Sequence, residues 1–187
     1  IDGGSTDGTV QYANDNGYTI YKQQNPGLGG AYIDGLTKST GDIVVLFSPD
    51  GNSDVTRIEE LINEIKKGFD IVIVSRYLDW AKSDDDDVIT GFGNWMFTKL
   101  YNFLYSQSVT DHLVIYRAFK RSLFYELNLN HQGIAWTTQL MCRAAKAKKK
   151  ISEIPGNEPD RIGGKRKMRP IRNGIAELVM LIKEKLQ

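Results

Sequence analysis

Residues Ile1–Thr9 read IDGGSTDGT, and this stretch decides the architecture. An apolar residue, Ile1, closes a strand; a carboxylate, Asp2, stands at its C-terminal tip; Gly3 and Gly4 supply a tight turn. The next residues begin a helix, with Ser5 as its expected N-cap and Asp7 in the first turn, facing the positive end of the dipole. Ligands of open α/β sheets bind at the carboxyl ends of strands, so Asp2 stands where a nucleotide would be read. Because a strand does not start with its last residue, the chain is expected to lack the strand and helix that would precede Ile1.

Outward from this turn, strand and helix signals alternate, the pattern of βα units on a largely parallel sheet. The spacing predicts a helix over Ser5–Asn16 and a short strand over Tyr18–Lys22. A second helix, Gly29–Lys38, follows a glycine-rich turn. Asp42–Phe47 (DIVVLF) and Asp70–Ser75 (DIVIVS) are continuous apolar runs, expected to be strands buried on both faces. Between them Ser53–Lys67 carries Val55, Ile58, Leu61, Ile62 and Ile65 on one helical stripe. Further helices are expected over Asn94–Tyr105 and Ala135–Ala147, with strands over Leu113–Phe119 and Lys150–Ile154. The last helix is expected to bury Ile175, Leu178, Val179, Ile182 and Leu186 against its own domain.

The 187 residues suffice for one domain with a sizeable core, and 41% hydrophobic with 25% charged residues is the composition of a soluble globular chain. A net charge of +1 gives no global field for nucleic acid or a membrane surface. No apolar run approaches the length of a membrane span. Cys142, the single cysteine, sits in a helical pattern and reads as a packing residue.

Asp50 is the second candidate of interest. It follows DIVVLF in FSPDGNS, so it projects from a strand tip on the same edge as Asp2. Two carboxylates at neighbouring tips suit a hard divalent cation and the base or ribose of a nucleotide. The segment NPGLGGA (25–31) opens a helix with glycines, an arrangement that lets backbone N–H groups approach phosphates. It has neither the Walker lysine nor the GxGxxG order, which argues against a P-loop or dinucleotide site. RIGGKRKMRPIR (161–172) holds six basic residues among glycines, suited either to a solvated loop or to a clamp that neutralises a diphosphate. SDDDD (83–87) reads as a solvated, disordered loop, since adjacent aspartates repel. Asp111 and Arg117 flank HLVIYR; a buried pair and a substrate contact both fit. His112 beside Asp111 is more readily a structural residue than a metal ligand.

The order IDGGSTDGT, NPGLGGAYIDGLTKSTGDIVVLFSPDG and DIVIVSRY resembles the nucleotide-sugar half of family 2 glycosyltransferases. DHLVIYRAFKR, WTTQLMCRA, ISEIP and RIGGKRKM are similar to the dolichyl-phosphate mannose synthase-like branch. The resemblance implies a GT-A-type α/β fold: a mixed, mostly parallel sheet flanked by helices, in one domain over 1–187. Residues 1–77 would form the nucleotide-sugar-binding half, and 88–187 the acceptor side with a basic loop at 160–173. It further implies that Asp2 and Gly4 meet the base or ribose, with Gly30 and Ser48 also on the nucleotide-sugar. Asp50 would be the retained carboxylate of a DXD-type motif, holding Mg²⁺ or Mn²⁺ on the donor diphosphate. Arg161, Lys165 and Lys167 would belong to the loop that closes on the phosphates. Arg117 would sit near the transferred sugar or acceptor phosphate, and Asp111 with it forms the expected catalytic pair.

Three positions depart from the pattern of the family. Ser48 replaces the first acid of the motif, Gln139 stands near where relatives carry an acid, and Arg166 replaces a small hydroxyl residue. The implied reaction is an inverting transfer of a sugar from a nucleotide-diphosphate to a lipid-phosphate (polyprenyl) or glycan acceptor. It implies a cytoplasmic protein peripheral to the membrane. Two other readings are a non-catalytic nucleotide-sugar-binding domain, favoured by Ser48 and Gln139, and a sugar nucleotidyltransferase, for which no activation signature is present.

Overall fold

The apolar runs become strands β1 (Ile43–Leu46) and β2 (Ile71–Ser75) in a computed structural model that describes residues 1–48, 51–160 and 170–187. Strands β3 (Arg117–Lys120) and β4 (Ile151–Pro155) complete a four-stranded sheet of order β1-β3-β2-β4. β3 is antiparallel to β1 and to β2, while β2 and β4 are parallel. Three of the four strands therefore point one way, and β3 alone runs against them. Leu46 and Ile73 both register with Arg117, and Ser75 with Pro155. The ends of β1, β2 and β4 thus meet the start of β3 along one edge.

β2 is buried at every residue, as its unbroken apolar run predicts. β1 departs from that expectation. Ile43, Val44 and Val45 are half-buried and Phe47 is exposed, because β1 borders the described sheet and one side of it lines a cavity.

Seven helices are described: α1 (Thr9–Asp15), α2 (Gly27–Lys38), α3 (Arg57–Lys66), α4 (Val88–Tyr105), α5 (Ser122–Glu126), α6 (Trp136–Lys146) and α7 (Pro170–Leu186). The core gathers Leu61 from α3, Ile71 and Ile73 from β2, Phe119 from β3, Tyr101 from α4, and Trp136 and Leu140 from α6. Cys142 is fully buried there, and burial pushes its thiol up to about 12.

Several boundaries move for local reasons. α1 starts at Thr9 rather than Ser5. Ser5 gives its N–H to Asp2 at 3.1 Å, and Asp7 takes the Thr9 N–H at 3.2 Å. The strand expected over 18–22 reduces to one bridge between Asp2 and Lys22. HLVIYR is mostly turn; Asp111 accepts the Val114 N–H at 3.3 Å, and extended pairing begins only at Arg117. α4 begins six residues early because Asp87 caps it, accepting the Thr90 N–H at 2.7 Å. The acidic run is ordered, contrary to expectation. Ser83 bridges Glu158, and Asp86 accepts hydrogen bonds from the Tyr77 hydroxyl and from Asn94.

The largest correction concerns α7. Ile175, Leu178, Val179, Ile182 and Leu186, expected inside, are exposed. The buried face carries Glu177, Met180, Leu181 and Glu184. Both acids find partners on α6. Glu184 accepts from Arg143 at 2.8 Å and from Gln139 at 3.0 Å, and Glu177 accepts from the Thr138 hydroxyl. Ion pairing with Arg143 lets the Glu184 carboxylate tolerate burial, whereas Glu177, with only the Thr138 hydroxyl as donor, has its carboxyl pushed up by burial.

Candidate active site

The turn after Ile1 is built around the Asp2 carboxylate. It accepts the Gly4 N–H at 2.8 Å and the Ser5 N–H at 3.1 Å. The Ser5 side chain and these backbone bonds hold its carboxyl below the usual range. Gly4 has φ +104°, a conformation open to glycine and strained for other residues. Backbone bonds from Asp2 to Tyr21 and from Gln23 to Asp2, both 2.8 Å, fasten the tip to the next segment.

Ile1, beside Asp2, and Ser48, just past β1, line one cavity of about 510 Å³. Its walls are mainly apolar, with Leu28, Tyr32 and Leu36 from α2 facing Val44, Leu46 and Phe47. The residue before Asp2 and the residue just past β1 therefore border a common cleft, while Asp2 itself is not among its lining residues. Asp50 lies outside the described residues, as do Arg161, Lys165 and Lys167. The chain just past Asp50 is tied to the sheet edge: buried Asn52 donates to Glu158 at 3.3 Å, and Tyr116 donates to the Asp54 carbonyl at 2.8 Å.

The glycine loop behaves differently from a phosphate cradle. Gly29 donates its N–H to the Gly133 carbonyl at 3.2 Å, and Gly30 to the Gln132 carbonyl at 3.1 Å. A Cβ at Gly30 would run into the Asn25 backbone, and one at Gly29 into the His131 carbonyl. Asp34 reaches back to hold the loop, accepting the Gln24 N–H at 2.6 Å and the Asn25 N–H at 3.0 Å. Gly29 is thus the close-approach residue to the 131–133 segment, and Gly30 is pressed against Asn25 with its amide already spent on Gln132.

Asp111 and Arg117, expected as a catalytic pair, both lie beneath the edge with no exposed surface. They do not bond to each other. Asp111 is taken by Arg76, the residue after β2, whose Nε and Nη2 donate to its two oxygens at 2.7 and 3.0 Å. Burial works against the Arg76 charge, but Asp111 and Glu158 outweigh it and hold the group well above its ordinary value. Arg76 also reaches Glu158 at 3.0 Å and Asp86 at 3.8 Å. Sequence reasoning missed this hub, although Arg76 stands in the quoted DIVIVSRY.

Arg117 donates from Nη2 to the His112 carbonyl at 3.1 Å and to the Val114 carbonyl. Its Nε and Nη1 have no hydrogen-bond partner among the described residues, and burial lowers it to about 10. His112 is a core residue. It stacks on Tyr101 with centroids 4.1 Å apart, and burial followed by the Arg117 charge lowers it to about 3. Gln139 spends its carbonyl oxygen on the Asn130 and His131 N–H groups, each at 2.9 Å, and offers no base.

Among the described residues no three acidic, histidine or cysteine side chains converge to hold a metal. The one ligand type expected there, the Asp50 carboxylate, is a hard oxygen donor of the kind Mg²⁺ and Mn²⁺ prefer.

Comparison with known proteins follows the same lines. A family model described as "Glycosyl transferase family 2" matches residues 1–127. Glycosyltransferase AglJ of Haloferax volcanii is 29% identical over 178 residues, covering 93% of this chain and 58% of the relative. A dolichyl-phosphate hexose transferase of the same organism is 25% identical over 173 residues, covering 92% and 74%. Glucosyl-3-phosphoglycerate synthase from Mycobacterium tuberculosis, solved with Mn²⁺, uridine diphosphate and phosphoglyceric acid, superposes with a TM-score of 0.74 at 19% identity. That match covers 99% of this chain and 66% of the other. The chain thus spans somewhat under two thirds of the length of AglJ and of the synthase.

Proposed function

The chain belongs to glycosyl transferase family 2, and on that premise we propose that it serves the transfer of a sugar from a nucleotide-diphosphate donor to an acceptor oxygen, with inversion at the anomeric carbon. The observation that supports this reading is the cavity lined by both Ile1, the neighbour of Asp2, and Ser48.

In this reading Asp2, with the Gly4 turn behind it, receives the base or ribose, and Ser48 offers a hydroxyl to the diphosphate. Asp50 would hold the divalent ion, Mg²⁺ or Mn²⁺, which would supply positive charge to the donor diphosphate. Arg161, Lys165 and Lys167 neutralise the same group as it leaves. The acceptor oxygen attacks the anomeric carbon as the bond to the diphosphate breaks, and the electron pair departs with the diphosphate. Arg76, Asp111 and Arg117 act as positioning residues: their ion pairs and carbonyl contacts fix the edge beneath the sugar.

A lipid phosphate fits as acceptor better than a sugar hydroxyl. It arrives already anionic and needs no strong base, in keeping with a Gln139 whose carboxamide is fully engaged. One relative named above carries dolichyl phosphate in its name, which supports the same class. Residues 1–77 then serve the donor and 88–187 the acceptor. A cytoplasmic placement at the membrane periphery suits such an acceptor.

The test is transfer of label from UDP- or GDP-sugars to polyprenyl phosphate by the full-length protein, with and without Mn²⁺. Metal-dependent transfer that falls about a hundredfold or more in Asp50→Ala is expected. Donor binding indifferent to Mn²⁺, with no turnover, overturns the proposal in favour of a binding domain.

A further inference from the structure

Glu158, just past β4, gathers side chains from three separate segments. Its Oε1 accepts from the Asn52 carboxamide at 3.3 Å, and its Oε2 accepts from Arg76 Nη1 at 3.0 Å and from the Ser83 hydroxyl at 2.5 Å. Its backbone is pinned independently of these contacts. The Glu158 N–H donates to the Lys82 carbonyl at 3.0 Å, and the Asp84 N–H to the Glu158 carbonyl at 2.8 Å. The Glu158 side chain is 19% exposed, while Asn52 and Arg76 are both buried. A carboxylate is acceptor-only, so it receives all three donors at once.

Asn52 links this cluster to the donor side. It stands two positions after Asp50, in a stretch (51–56) that belongs to neither strand nor helix. Backbone bonds from this stretch run on into α3: the Arg57 N–H donates to the Asp54 carbonyl at 3.1 Å, and the Ile58 N–H to the Val55 carbonyl at 3.2 Å. Its ties to the sheet edge come through side chains, Asn52 onto Glu158 and Tyr116 onto the Asp54 carbonyl. A loop without ladder bonds takes its position from such contacts, and ligand geometry loosens when they are removed.

We propose that Glu158 is a positioning residue for the nucleotide-diphosphate donor. Through Asn52 it fixes the chain that carries Asp50, and through Arg76 it fastens that chain to the hub beneath the sheet edge. The inference rests on the transfer reading and adds to it a residue that touches neither donor nor acceptor. One carboxylate thereby has two separable duties. Toward Arg76 the duty is charge, which Asp111 shares. Toward Asn52 it is a hydrogen bond, which a carboxamide also makes once Asn52 turns its own amide.

The test is calorimetric binding of uridine and guanosine diphosphate, with Mn²⁺, to the full-length protein and its variants, alongside urea melts. Asn52→Ala removes the hydrogen bond and leaves the Arg76 ion pairs in place. It is expected to weaken nucleotide binding about tenfold, the worth of one hydrogen bond to a charged group, with the melt still cooperative. Glu158→Ala is expected to weaken binding by the same factor, and the double variant by no more than Glu158→Ala alone. Glu158→Gln removes the charge but keeps a partner for Asn52. It is expected to lower the urea midpoint while nucleotide binding stays within about threefold of the native chain. In transfer assays Asn52→Ala is expected to raise the donor KM and leave the acceptor KM unchanged. Native binding by Asn52→Ala overturns the proposal. So does a loss in Glu158→Gln as large as that in Glu158→Ala, which would make charge balance the whole role. Should Glu158→Ala not fold, Asn52→Ala and Glu158→Gln decide. A native chain that binds neither nucleotide overturns the transfer reading and this proposal together, whereas native binding untouched by the variants overturns the proposal alone.

Discussion

Arg76 and Asp111 are joined by two parallel hydrogen bonds of 2.7 and 3.0 Å, and the Arg76 backbone N–H adds a third contact to the same carboxylate at 3.2 Å. The pair locks the residue after β2 to the turn that leads into β3. Asp111 has no exposed surface, and its oxygens are engaged by Arg76 and by the Val114 N–H.

Removing Asp111 takes away the bidentate partner of a buried guanidinium and leaves only Glu158 and the more distant Asp86 to offset its charge. Asp111→Ala is therefore expected to destabilise the protein by about 3–5 kcal/mol, measured as a lower urea midpoint at constant slope. Unchanged stability with lost transfer would instead make Asp111 a residue that touches substrate.

Glu177 gives a pH dependence. Burial raises its carboxyl above the ordinary 4.5, while the Thr138 hydroxyl and Arg117 pull the other way. Above pH 4.5 the unfolded chain releases a proton that the folded state retains, so this group's contribution is present below that value. It is lost as pH rises through the folded value. Glu177→Gln removes the titration while keeping an acceptor for Thr138. Urea melts across pH 4–8 are expected to show the variant gaining on the native chain as pH rises (pH range set roughly by the carboxylate and histidine values).

Two glycines separate close approach from mere permissiveness. Gly30→Ala drives a methyl group into the Asn25 backbone and is expected to cost about 2 kcal/mol or more. Gly91, within α4, has open space where a Cβ would stand, and Gly91→Ala is expected to gain about 0.5–1 kcal/mol. Thermal unfolding of the two variants side by side checks both signs.

Ser48 lines the cavity wall. Ser48→Asp supplies a second hard oxygen donor two residues before Asp50. Calorimetric titration with Mn²⁺ in the presence of a nucleoside diphosphate is expected to show about tenfold tighter metal binding. No change would place the ion away from this tip.

Most of the fold is legible from chain patterning, because β2 and the helices around it obey simple periodicities. DIVIVS announces a strand covered on both faces, and it is buried throughout. The pattern fails where tertiary partners override it. In α7 the apolar residues alone define a stripe, yet Glu177 and Glu184 turn inward because Thr138, Gln139 and Arg143 await them on α6. Repulsion among the aspartates of 83–87 predicts disorder, but a helix N-terminus, a tyrosine hydroxyl and Asn94 give two of them fixed partners. The Asp2 turn is legible because a strand tip, a carboxylate and two glycines stand together. Arg76 is not, since nothing in SRY indicates that Asp111, thirty-five positions on, will meet it.

The backbone bonds from Gly29 and Gly30 to residues 132 and 133 have a mechanical consequence. They rivet the first third of the polypeptide to a segment a hundred positions later through main-chain atoms that no side-chain replacement removes. A clamshell opening about that seam would break both bonds at once.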